Sequence, residues 1–364
     1  MTISLCMIVK DEAEFINKCL LSVAGVVDEI IVVDTGSTDE TVFIAEEHGA
    51  KVFHYEWNGS FADARNESLS HATGDWILVM DADEEMSPGM LRYLKQIKEL
   101  PFTGHRAYQF KIRNYHGDSF TEHFMPRFFM SNVGLEWSGL VHEQIVHCYG
   151  EFVETPVIEQ VVIYHYGYED HVIEAKGKSE RNLALLNKSL EDEPENPFHW
   201  FNMGMVHYNQ ANWIAALDAF SQCVSLNPDM RSYYIPVSFS CLIGAYMMVG
   251  RVEEAWSLAQ TAPEECFKYP DFLNNYGNLC CAVGEFNEAI SAYTEAFAVK
   301  PMTMPFKNIS SETWRPHAGL GNVYLQLNDL RRAKRHFEMA LELAPDEQDL
   351  HRILKDINNA DDKF

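Results

Sequence analysis

Three apolar runs near the start of the chain stop at carboxylates. Residues 3–9 lead into Lys10-Asp11-Glu12, residues 29–33 into Asp34 and the turn Thr35-Gly36-Ser37-Thr38-Asp39, and residues 76–80 into Asp81-Ala82-Asp83-Glu84-Glu85. Gathering these carboxylates at one rim costs free energy unless a cation or hydrogen-bond donors offset their repulsion. A divalent cation is the natural compensator. Mg2+ takes one or two carboxylates and fills its shell with water and substrate phosphate oxygens, and an Asp-x-Asp after an apolar strand supplies such hard oxygen ligands. A second charge type is at hand in Phe61-Ala62-Asp63-Ala64-Arg65-Asn66, where Arg65 is placed to reach a diphosphate or to pair with Asp81. Neither a P-loop nor a G-x-G-x-x-G turn after the first run occurs, so kinase-like and dinucleotide-dependent chemistry lose support.

The elements that must position these residues alternate between strand and helix. Strands are predicted at 3–9, 29–34, 51–55 and 76–80. Between them lie helices at 14–23 and 61–71, and one that begins at Ser37 or Thr38 as N-cap, with Asp39 and Glu40 in its first turn. Such alternation implies a mostly parallel sheet with helices on both faces. Ligands of open parallel sheets bind beyond the carboxyl ends of the strands, which is where the acidic residues fall. From residue 107 the pattern becomes β-rich, with strands expected at 108–113, 124–130 and 157–164. Trp57, Trp76 and Trp137 are the aromatic candidates for lining an acceptor site.

Length and composition set the outer bounds. A chain of 364 residues suggests two domains, and 47% hydrophobic with 23% charged residues describes a folded chain. The 28 Lys and Arg against 54 Asp and Glu leave a net charge of −26, which disfavours nucleic acid as a partner. The 8 cysteines are scattered with no C-x-x-C, as expected in a reducing compartment. The first residues lack the basic segment and small-residue cleavage site of a signal peptide, and no run is long enough for a membrane span. A cytoplasmic protein is expected.

The second half is helical and repetitive. Gly277, Ala289 and Pro301 recur at equal separations as Gly321, Ala333 and Pro345 and as Gly204, Ala216 and Pro228, with aromatic residues between them. A degenerate unit is marked by Gly250, Ala255 and Trp256. This pattern resembles tetratricopeptide repeats, in which small residues let paired helices approach while aromatics fill the adjacent holes. The match runs from about 197 to 345, with capping helices expected at 176–193 and 347–359.

The first half resembles a family 2 glycosyltransferase of the GT-A fold. The resemblance covers about residues 1 to 170 and rests on four ordered motifs: Cys6-Met7-Ile8-Val9-Lys10-Asp11-Glu12; Val33-Asp34-Thr35-Gly36-Ser37-Thr38-Asp39-Glu40-Thr41; the Phe61 to Asn66 segment; and Gly74-Asp75-Trp76-Ile77-Leu78-Val79-Met80-Asp81-Ala82-Asp83-Glu84. The expected architecture is an α/β, Rossmann-like GT-A domain over 1–170 followed by an all-α tetratricopeptide-repeat superhelix over 171–364.

The resemblance implies a donor site. Asp34 and Glu12 would contact the base of a nucleotide-sugar, usually a UDP-sugar; Asp81 would meet the ribose or a metal-bound water; Arg65 would help hold the nucleotide. Asp83 would bind Mn2+ or Mg2+, joined by a histidine from a later strand, His165 first and His142 second. Inverting transfer needs a base for the acceptor proton, worth about 10²–10⁴-fold in rate. Family members use a downstream acidic residue, which makes Glu143 in Trp137-Ser138-Gly139-Leu140-Val141-His142-Glu143 the candidate. The Glu-Asp pair usual at that position is missing, as is the Gln-x-x-Arg-Trp motif of processive members, so a polysaccharide synthase is not expected. The repeats are read as a surface for a peptide or protein acceptor, or for self-association into a homo-oligomer. Several glycosyltransferases that modify bacterial peptides resemble this arrangement, which makes a Ser, Thr or Cys side chain one acceptor class and a saccharide precursor another. The competing reading is a protein-binding scaffold whose transferase-like domain binds nucleotide without turnover.

Overall fold

The computed structural model describes residues 1–89, 92–94, 106–116, 119–149, 153, 155–166, 178–226, 232–299, 306–307 and 309–361. The chain divides into two compact units, Met1–Glu191 with Pro305–Lys307, and Asp192–Met304 with Asn308–Phe364.

The first unit is built on a mixed sheet. Strands β1 (Ile3–Val9), β2 (Glu29–Asp34), β3 (Lys51–His54) and β4 (Trp76–Val79) pair in parallel in the order β3-β2-β1-β4. Near-continuous apolar runs with both faces buried are what a parallel sheet requires, and β1 and β4 are almost entirely buried. Helices α1 (Ile16–Ser22), α2 (Thr41–Glu47) and α3 (Phe61–Ser70) follow β1, β2 and β3 in sequence.

Beyond β4 the sheet departs from the mostly parallel expectation. It continues through β7 (Ser119–Met130), β6 (Ala107–His116), β10 (Val157–His165) and the short β5 (Glu84–Met86). β7 is antiparallel to β4 and to β6, β6 is parallel to β10, and β5 runs antiparallel to β10. Because β7 reverses direction between β4 and β6, strands β6 and β10 point the same way as β1, β2 and β4. The carboxyl ends of all five therefore share one edge, and this brings His165 to the edge that holds Asp34 and Asp81. A separate hairpin, β8 (Leu135–Ser138) with β9 (Gln144–His147), carries Glu143 in its connection.

Helix α2 begins later than its sequence suggests. Its N-cap is Glu40, and Ser37 and Thr38 lie before it in a loop. They are engaged by the loop after β1: Asp11 N–H donates to Ser37 Oγ at 2.9 Å, and Thr38 N–H donates to Asp11 Oδ1 at 2.7 Å. Both residues thus tie the loop after β2 to the loop after β1.

The helix α4 (Lys178–Asp192) belongs to the first unit up to Glu191. Among the described residues the second unit holds four helix pairs: α5 (Pro197–Asn209) with α6 (Trp213–Leu226), α7 (Tyr234–Met248) with α8 (Val252–Ala259), α9 (Pro270–Val283) with α10 (Phe286–Ala298), and α11 (Trp314–Gln326) with α12 (Leu330–Leu343). A last helix, α13 (Gln348–Asp361), packs Leu350, Leu354 and Ile357 against Phe337 and Ala340. Within pairs the glycines meet aromatic rings, Gly204 against Phe220, Gly277 against Tyr293 and Gly321 against Phe337, each with no room for a methyl group. That is the packing the sequence spacing implied. No helix among the described residues is long and apolar enough to cross a membrane.

Candidate active site

Helix α3 is the frame on which the site is assembled. Ser60 caps it by accepting the Asp63 N–H at 3.1 Å. Asn66 then clamps β8, donating to the Trp137 carbonyl and accepting the Trp137 N–H, both at 2.8 Å, while Phe61 N–H donates to the Leu140 carbonyl at 3.1 Å. These bonds fix the hairpin carrying Glu143 against the helix carrying Arg65.

Arg65 is buried and forked between two carboxylates. It donates through Nε to Glu143 Oε1 at 2.5 Å and through Nη2 to Asp81 Oδ1 at 2.9 Å, with its guanidinium 5.3 Å from the centre of the Trp137 ring. Its Nη1 is buried and makes no hydrogen bond among the described residues. Of the two alternatives read for Arg65, the ion pair with Asp81 is present.

A second guanidinium completes the cluster. Arg127, on β7 and buried, donates through Nη2 to Asp81 Oδ2 at 3.1 Å and to Glu84 Oε1 at 2.6 Å. Glu84 Oε2 in turn accepts the Asp81 N–H at 2.9 Å. Both oxygens of Asp81 are thus held by arginines. Burial opposes its ionisation, but Arg65 and Arg127 prevail and hold its carboxyl well below the usual range. Burial pushes the Glu84 carboxyl up, because the nearby Asp81 charge adds to desolvation against Arg127. Arg127 and Glu84 were not among the site residues read from sequence; the signal available was a lone cation in an apolar run, Met125-Pro126-Arg127-Phe128-Phe129.

Asp83 and His165 meet across the same edge. Tyr166 N–H donates to the Asp83 carbonyl at 3.0 Å, and the β5–β10 register sets His165 beside Glu84. His165 Nε2 then stands 3.4 Å from Asp83 Oδ1. Burial lowers the His165 pKa, and the Asp83 carboxylate more than reverses that, raising it. Adjacent ligands of an octahedral ion with bonds of about 2.1 Å lie about 3 Å apart, so this oxygen and nitrogen fit two positions of one Mg2+ or Mn2+ shell. Among the described residues no three His, Cys, Asp or Glu side chains gather into a group that could hold a metal ion.

Glu12 and Asp34 lie in a neighbouring network at the ends of β1 and β2. The buried Asp34 carboxylate accepts the Gly36 and Ser37 N–H groups at 3.3 and 3.0 Å and stands 3.3 Å from His54 Nδ1. Gly36 has φ 108°, which lets the turn fold back onto that carboxylate. Glu12 N–H donates to Thr41 Oγ1 at 2.7 Å, and its half-buried side chain stands at the end of β1. The second-choice ligand His142 is exposed beside Glu143. Trp76 and Trp137 are both buried; Trp76 stacks on Phe128 in the core, whereas Trp137 underlies Arg65.

Residues 4–154 match the family model for glycosyl transferase family 2, and residues 314–347 match the model for a tetratricopeptide repeat. A TPR repeat-containing protein of Synechococcus elongatus is 35% identical over 210 residues, 56% of this chain and 51% of that protein. The SPbeta prophage-derived glycosyltransferase SunS of Bacillus subtilis is 32% identical over 208 residues, 56% of this chain and 48% of that protein. An uncharacterized glycosyltransferase of Rickettsia felis is 43% identical over 115 residues, 30% of this chain and 39% of that protein. The chain spans about half the length of the first two of these relatives. Among solved structures, a thermophilic TPR protein of Thermus thermophilus aligns with a TM-score of 0.39 at 20% identity, covering 51% of this chain and 93% of that one.

Proposed function

We propose that this chain, whose N-terminal domain belongs to glycosyl transferase family 2 and which ends in tetratricopeptide repeats, is a metal-dependent, inverting glycosyltransferase of the cytoplasm. Its donor is a nucleotide-diphosphate sugar, a UDP-sugar, and its acceptor is a peptide or protein side chain recognised by the repeats. The observation that carries this reading is the facing of Asp83 and His165 at the carboxyl edge of the sheet, beside Asp81 held between two arginines.

In this reading Glu12 and Asp34 hold the nucleoside end of the donor. Asp83 and His165 hold Mn2+ or Mg2+, which when bound supplies Lewis-acid stabilisation of the departing diphosphate. Arg65 helps hold the nucleotide by fixing Asp81 and Glu143 through Nη2 and Nε. Glu143 is the base: Arg65 engages one of its oxygens and orients the carboxylate for the acceptor proton. As the acceptor attacks the anomeric carbon, the bond from that carbon to the diphosphate oxygen breaks and the acceptor proton passes to Glu143.

The test is incubation of the full chain with Mn2+, a panel of UDP-sugars and a candidate peptide acceptor, read by mass spectrometry. A mass increase of one sugar that is lost in Asp83→Ala is the expected result. Absence of both UDP release and transfer with every donor, or unchanged turnover in Asp83→Ala, would count against the reading.

A further inference from the structure

We propose that Asn114 is a positioning residue for the cation site: its side-chain oxygen takes up the His165 Nδ1–H and so keeps Nε2, the nitrogen that faces Asp83, as the one a cation would bind. The inference rests on the reading of Asp83 and His165 as cation ligands and deepens it.

The geometry comes from three adjacent strands. His165 on β10 lies directly opposite Asn114 on β6 in a parallel register. Asn114 lies opposite Thr121 on β7, so His123, two residues on, is its diagonal neighbour on the same face of the sheet. The buried Asn114 amide spans the two rings, with Oδ1 2.7 Å from His165 Nδ1 and Nδ2 2.9 Å from His123 Nδ1.

An amide has one accepting and one donating end, so the two contacts are linked. With Nδ2 donating to His123 Nδ1, the oxygen faces His165, and the His165 nitrogen opposite it must carry a proton. An imidazole bonded in this way through Nδ1–H presents Nε2 to a cation, and the partner of the remote nitrogen fixes both tautomer and ring orientation. The amide thereby couples the two rings: while its oxygen accepts from His165, its NH2 faces His123 Nδ1. A flipped amide would present its NH2 to His165 Nδ1 and leave the proton on Nε2, where a cation must bind.

Leucine matches asparagine in shape but can neither accept nor donate, whereas aspartate keeps an oxygen for His165 Nδ1–H. Asn114→Leu, Asn114→Asp and Asp83→Ala are titrated with Mn2+ alone, free ion being read by electron paramagnetic resonance. The expected result is near-complete loss of the site in Asp83→Ala, roughly 10–100-fold weaker binding in Asn114→Leu, and affinity close to wild type in Asn114→Asp. A purely structural role would not distinguish the Asp variant from the Leu variant in this way. Wild-type affinity in Asn114→Leu with loss in Asp83→Ala overturns the inference alone, and equal weakening in both Asn114 variants does so as well. Wild-type binding in Asp83→Ala overturns the metal reading beneath it.

Discussion

Replacing Arg127 by Met tests how the acidic edge is held together. The side chain is 3% exposed and Glu84 only 1%, and one Nη2 serves both Glu84 and Asp81. Methionine fills much of the same volume but leaves the Glu84 carboxylate buried without its cation, while Asp81 keeps Arg65. Removing one member of a buried ion pair costs about 3–5 kcal/mol, because the carboxylate left behind must stay desolvated or take up a proton. For a unit of this size each kcal/mol lowers the melting midpoint by about 2–4 °C, so a fall of roughly 6–20 °C is expected in the near-ultraviolet circular dichroism of the first unit. The double variant Arg127→Met with Glu84→Gln removes both charges, and the neutral amide can still accept the Asp81 N–H. Its loss should fall short of the sum of the two single losses by about 0.5–3 kcal/mol, the range for residues in one network. A loss under about 1 kcal/mol in Arg127→Met, or strict additivity in the double variant, would refute the claim that the buried arginine compensates these carboxylates.

Two further outcomes follow from other parts of the chain. Glu29 lies 10% exposed at the start of β2, where Ser4, Lys51 and Thr73 donate to it; burial opposes ionisation, but these donors bring its pKa down to about 2. A depressed carboxyl pKa stabilises the fold above the unfolded value and loses that contribution as pH falls from about 4.5 to 2. Glu29→Gln should therefore cost about 1–2 kcal/mol at pH 7 after allowance for solvent screening, with the gap to wild type closing across that pH window in urea titrations; a gap that persists to pH 2 would contradict this. In the repeats, a Cβ on Gly277 would lie 2.7 Å from the buried Tyr293 ring and one on Gly204 2.6 Å from Phe220. Gly277→Ala and Gly204→Ala should each lose about 1–3 kcal/mol in denaturant titrations despite alanine's better helix propensity, and a stabilised variant would show that the ring moves aside without cost.

The parts legible in the sequence were those fixed by local pattern. Apolar runs that stop at Asp34 and Asp81 gave the parallel strands and the edge where the acidic residues gather, because strands buried on both faces read as near-continuous apolar runs. The Gly–Ala–Pro spacing gave the helix pairs, because a glycine that must admit Phe220 or Tyr293 leaves a mark at a set separation from that ring. What was not legible depends on distant partners. Nothing in residues 119–130 announces that β7 runs against β4 and so directs β10 toward the acidic edge. Arg127 reads as one charged residue in a strand until the fold sets it against Asp81 and Glu84. Ser37 and Thr38 read as helix caps because the residue that engages both, Asp11, comes from the distant turn after β1.

Thermal unfolding with UDP and Mn2+ together, and with each alone, tests most directly whether Asp83 and His165 hold a cation against a nucleotide diphosphate. A ligand bound by the native state at a hundred times its Kd stabilises by about 2.7 kcal/mol. The wild-type midpoint should rise further with UDP and Mn2+ together than with either alone, and Asp83→Ala and His165→Ala should lose that joint increment. An equal joint increment in all three proteins, or none in the wild type with UDP or any other nucleoside diphosphate, would contradict the account.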